Sequence, residues 1–88
     1  MFERFLGLSP DEKLKLTIQD FTVSEIRVII SETVFAKEVD ALIAELRFIR
    51  SCSMATIAEK IDYEQERSVH VRLESITKRM NATIQKLL

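Results

Sequence analysis

Between positions 67 and 79 the chain carries Arg67, Ser68, His70, Val71, Arg72, Lys78 and Arg79. Guanidinium, ammonium and hydroxyl groups close together can donate to phosphate oxygens and base edges. The same set cannot run covalent or acid–base chemistry. A general base needs an orienting partner and a pocket, and neither is readable around His70, the only histidine of the chain. The acid pairs Glu38/Asp40 and Glu64/Glu66 stand two residues apart, a spacing that does not bring carboxylates together on a helix. The chain is therefore not expected to be an enzyme. Cys52 has no Cys or His at ligand spacing, so neither a metal nor another cofactor is expected. A single cysteine cannot form an internal disulfide, which fits a reducing cytoplasm.

Charge separates along the chain. Residues 1–60 hold eight Lys/Arg against ten Asp/Glu, or −2; residues 61–66 hold Asp62, Glu64 and Glu66, or −3; residues 67–88 hold Arg67, Arg72, Lys78, Arg79 and Lys86 against Glu74, or +4. The sum is the formal charge of −1, which argues against binding nucleic acid through bulk charge and leaves a single basic end to do it.

The elements that must position this end follow from caps and periodicity. One Gly and one Pro in 88 residues leave few breaks, so helices should dominate a single small domain. Ser9-Pro10-Asp11-Glu12 is a helix start with a capping box, good for a turn or two. Lys13 to Gln19 alternates polar and apolar residues, the period of an extended segment, so residues 1–20 read as an N-terminal arm with a short helix, which could also pair with its own copy in a dimer. In Phe21-Thr22-Val23-Ser24-Glu25-Ile26, Thr22 and Glu25 form a second capping box and Phe21 and Ile26 a hydrophobic staple. The helix from about Val23 buries Ile26, Ile29, Ile30 and Val34, with a bend near Ser31 to Thr33. The next, about Lys37 to Ile49, buries Val39, Leu42, Ile43, Leu46 and Ile49 and exposes Glu38, Asp40, Glu45 and Arg47.

Ser53 then caps a short helix, Met54 to Ile61, with Ile57, Ala58 and Ile61 inward. Asp62-Tyr63-Glu64 breaks the pattern, with Tyr63 expected to pack on the helix pair. The last helix starts between Gln65 and Ser68 with the stripe Val69, Leu73, Ile76, Met80, Ile84 and Leu87. From Met80 onward that stripe must pack on the N-terminal helices or on another subunit. The expected architecture is all-α: a small helical bundle, 21–88, with a helix-turn-helix at about 53–80 and a long C-terminal helix. The start of the chain has too short an apolar run for a signal peptide, and no run of about eighteen apolar residues exists, so no membrane span is expected.

Ile57-Ala58-Glu59-Lys60-Ile61-Asp62-Tyr63 resembles the "IAxxLGY/I" first helix of region four of bacterial sigma factors and of LuxR-type regulators. Val69-His70-Val71-Arg72-Leu73-Glu74-Ser75-Ile76-Thr77-Lys78-Arg79-Met80 resembles their "VxxRLxxIxxKL" second helix. The stretch from Phe21 through Ile49 is similar to small sigma-like helix-turn-helix proteins of Firmicutes phages and prophages. Asp62 replaces the turn glycine, Glu64 or its neighbours replace the capping serine, and the turn is one residue longer. Acids at 64 and 66 would oppose phosphate contact.

The resemblance implies a cytoplasmic, sequence-specific transcriptional regulator that reads duplex DNA with the helix from about Glu66 to Lys78. Arg67, Ser68, His70, Val71 and Arg72 would lie near base edges, and Lys78 and Arg79 would take phosphates. A homodimer held by the end of the last helix is compatible with that role. The alternative is a protein-interaction module that keeps the scaffold and docks on RNA polymerase or a sigma or anti-sigma partner.

Overall fold

Each N-cap signature begins a helix in the structure, a computed structural model that describes residues 1–61 and 65–88. Ser9 Oγ accepts from the Glu12 amide at 3.2 Å and Glu12 Oε1 from the Ser9 amide at 3.0 Å, which starts α1 (Pro10–Leu14). The Thr22–Glu25 box starts α2 (Val23–Glu32) in the same way, with Phe21 and Ile26 buried on either side of it as a staple requires. After a break, α3 (Glu38–Ala44) continues into one π-helical turn, Glu45–Ile49. Ser51 supplies the left-handed residue of the following bend, with φ of 55°. Ser53 Oγ then accepts from the Thr56 amide to start α4 (Met54–Lys60), and Gln65 precedes α5 (Glu66–Leu87). Single 3-10 turns lie at Glu3–Phe5 and Ile18–Asp20.

The described chain is all-helical, and α5 is its spine. Twenty-two residues at about 1.5 Å each run most of the length of a molecule 44 Å long and 18–19 Å across. The stripe Val69, Leu73, Ile76, Met80 and Ile84 is buried, and α2, α3 and α4 all pack on it. They contribute Ile26 and Ile29, Ile43 and Ala44, and Ile57 and Ala58 to the same core.

The last third of α5, beyond Met80, packs on this chain's own N-terminal half. Thr33 Oγ1 shares its proton between the Ile29 carbonyl at 2.6 Å and Thr83 Oγ1 at 2.8 Å, and Thr83 Oγ1 donates to the Arg79 carbonyl. Gln85 donates to the Lys13 carbonyl at 2.8 Å.

Three expectations about placement are corrected. The alternating segment after Lys13 is not extended: α1 is followed by a 3-10 turn in which Asp20 accepts from the Thr17 amide at 2.8 Å, and no strand occurs among the described residues. The same N-terminal region buries Phe5 against Phe21, with ring centroids 4.8 Å apart. Val34 is 81% exposed, because α2 ends at Glu32 and the chain turns outward. On α3, Leu42 is half exposed and Asp40 fully buried, so the helix is rotated from its expected face. The turn expected at Asp62, Tyr63 and Glu64, with its acidic face, lies outside the described residues.

Glu25 is buried at the third position of α2. Arg4 Nη1 donates to its Oε2 at 2.6 Å, and the Thr22 amide to its Oε1 at 2.8 Å. Burial pushes its pKa upward, but the hydrogen bonds from Arg4 and Thr22 together outweigh that and hold it below the usual 4.5. A folded-state value below the unfolded one means that the stabilisation is present above about 4.5 and is lost as pH falls through the folded value. Thermal melts should therefore show wild type losing stability on acidification more steeply than Glu25→Gln; equal slopes would show that Glu25 does not carry this linkage.

Candidate nucleic-acid interface

The first half of α5 lies against α4, where Ala58 lets the two backbones approach and Ile57, Val69 and Leu73 fill the space between. With its stripe buried, the helix turns Arg67, Val71, Glu74 and Lys78 outward, at spacings of four, three and four residues. All four are exposed. Ser68 and Arg79 border this ridge on one flank and His70 on the other, and these three are exposed as well.

Arg72 departs from the expected placement. It stands at the edge of the buried stripe and folds back onto α3, where Nε donates to Asp40 Oδ1 at 3.0 Å and Nη2 to Asp40 Oδ2. Its side chain is 17% exposed and that of Asp40 is 0% exposed. Asp40 also accepts from the Lys37 amide at 3.2 Å, so its carboxylate caps the first turn of α3 and receives a guanidinium fork at once. An ionised carboxylate buried this deeply requires such partners, and the positive end of α3 favours it further. Arg72 is thus a positioning residue that fixes α5 on α3, not a group aimed at base edges.

The other side chains of this set lie around it. Arg79 is exposed, and its Nη1 donates to the Val34 carbonyl at 2.9 Å, which ties the α2–α3 connection to α5. His70 Nε2 lies 3.7 Å from Glu74 Oε1 one turn away, an ion pair only when the imidazole is protonated. The structure brings Arg67, Val71 and Lys78 together on the ridge, with Ser68 and Arg79 alongside and His70 set apart beside Glu74. The exposed charges of the ridge and its flanks are Arg67, Lys78 and Arg79 against Glu66 and Glu74.

A second surface was not foreseen. The π-helical turn carries Arg47 and Phe48 to the edge of an open groove of about 490 Å³, whose other walls are Met54 of α4 and His70, Leu73, Glu74, Thr77, Lys78 and Asn81 of α5. Arg47 is held there by donating to the Cys52 carbonyl at 3.0 Å. Sequence periodicity assumes 3.6 residues per turn and cannot anticipate a π turn. Asp40 was also missed, although a signal exists: it shares a helical face with the apolar Ile43 and Ala44, and an acid in that place needs a cation.

No family model, curated protein or solved structure matches this chain. No helix among the described residues is long and apolar enough to cross a membrane.

Removing one partner of a buried ion pair leaves the other charge stranded. Asp40→Ala should lower unfolding free energy by about 3–5 kcal/mol in denaturant titrations. Replacing both partners with apolar residues of similar volume, Asp40→Leu with Arg72→Met, should recover most of that loss. An Asp40→Ala protein as stable as wild type would contradict the burial described here.

Proposed function

We propose that the chain is a small DNA-binding transcriptional regulator in which α4 and α5 act as a helix-turn-helix. The single observation that supports this most is the outward ridge of α5: Arg67, Val71 and Lys78 project together from a helix braced by α4 and clamped to α3. Laid into a major groove, the start of α5 would turn Arg67, Ser68 and Val71 toward base edges, with His70 at the margin. Lys78 and Arg79, two to three turns on, would take phosphates. The likeness of 53–80 to sigma region four and LuxR-type helices belongs to the same proposal, as do a phage or prophage setting and a cytoplasmic location.

Arg72 has a changed part in this account. Its guanidinium is committed to Asp40, so its contribution to binding is indirect, through the angle of α5. A homodimer remains compatible with half-site recognition, but the buried end of α5 does not offer an apolar stripe to hold it.

A second proposal is supported by the groove beside the π turn. Phe48, Met54 and Leu73, with the cations Arg47 and Lys78 at the margins against the single acid Glu74, would suit an apolar anchor flanked by carboxylates, such as a helix of RNA polymerase or of a sigma or anti-sigma partner. Salt dependence separates the two. The two phosphate contacts of Lys78 and Arg79 give a slope of log K against log salt of about −2. For duplex DNA of random sequence the wild type should approach that slope, and Lys78→Ala should flatten it by about one. Arg67→Ala should weaken a preferred site by about 10-fold or more, whereas Arg72→Ala should chiefly lower the melting temperature. A slope near zero would remove the DNA proposal and leave the groove.

A further inference from the structure

Val71 is 54% exposed and stands in the middle of the ridge, with Arg67 one turn before it and Glu74 and Lys78 on the turns that follow. It is the only large apolar side chain among the described residues of α5 with such exposure. A helix that merely faced water could place any polar residue there. A helix that reads DNA has a reason for valine, because the major groove displays a single apolar feature, the 5-methyl group of thymine. Valine neither donates nor accepts, so it discriminates by burying that methyl and by leaving the polar edges of other bases unsatisfied against it.

The withdrawal of Arg72 sharpens the point. The residue next to Val71 would otherwise dominate base contact with its guanidinium fork, yet it is occupied by Asp40. The base-facing set that remains is Arg67, Ser68 and Val71, two polar groups at the start of α5 and one methyl-bearing group a turn further in. We infer that Val71 is a specificity-determining residue that selects thymine, within an A·T pair, at the centre of the duplex site contacted by α5. This rests on the DNA-binding function proposed above and adds the base that it prefers.

The test removes one methyl group. Duplexes are selected on the wild-type protein from a randomised library, and the preferred duplex is resynthesised with deoxyuridine replacing thymine at one position at a time. Burial of one methyl group corresponds to about a four-fold change in affinity. The wild type should lose about that factor at one thymine of the site, while Val71→Ala should bind the thymine and deoxyuridine forms of that position equally. Circular dichroism melts of Val71→Ala verify that the helix is intact.

If no deoxyuridine substitution weakens the wild type, or if Val71→Ala keeps the same loss, thymine selection by Val71 is overturned although salt-dependent DNA binding persists. If the wild type binds no duplex in a salt-dependent way, the DNA-binding function falls and this inference with it.

Discussion

The bond between Asp40 and Arg72 is the constraint on which the arrangement of this molecule depends. Asp40 lies at the first turn of α3 with no exposure to solvent, a place where a carboxylate without hydrogen-bonding partners would be costly. Its two oxygens take the guanidinium fork of Arg72 and the Lys37 amide, and this fixes the register and angle of α5 against α3. The same device recurs at the other end of the molecule. Glu25, at the same position of α2, receives Arg4 and the Thr22 amide, and so fastens the N-terminal turn to the bundle. In each case an acid that begins a helix doubles as a socket for an arginine distant in sequence. Such buried pairs add less stability than geometry, because much of their attraction offsets the desolvation of two charges.

What α5 shows to solvent follows from that clamp. Its apolar stripe is consumed by α2, α3 and α4, and its far end is tied by Thr33 with Thr83, by Arg79 with the Val34 carbonyl, and by Gln85 with the Lys13 carbonyl. A helix held along its whole length carries its outward side chains on a rigid element, which favours a binding surface with little ordering left to do. The ridge from Arg67 to Lys78 and the groove beside the π turn flank the same helix, and Lys78 borders both. Partners at the two surfaces would therefore compete for at least one cation.

Much of the architecture was legible because its signals are local. Ser9, Thr22 and Ser53 mark helix starts by the hydrogen bonds that they alone can make in place, and the α5 stripe keeps its period from Val69 to Ile84. The failures have a common cause. Leu42 and Asp40 exchanged expected faces because a seven-residue helix has too few turns to fix its rotation from sequence. The alternation after Lys13 spans too few residues to outweigh the turn that Thr17 and Asp20 close. Arg72 looked like a surface cation because its partner lies 32 residues away on another helix, a distance at which periodicity carries no information. The ridge itself was readable residue by residue; the loss of Arg72 from it, and the groove opened by the π turn, were not.

Amide chemical-shift mapping during titration with a random-sequence duplex tests most directly the proposal that the outward ridge of α5 meets duplex DNA. The largest shifts should fall on Arg67, Ser68, Val71 and Lys78 and diminish as salt is added, with Asp40 and Ile43 little moved. Shifts centred on Phe48 and Met54, or none at any residue under low salt, would contradict it.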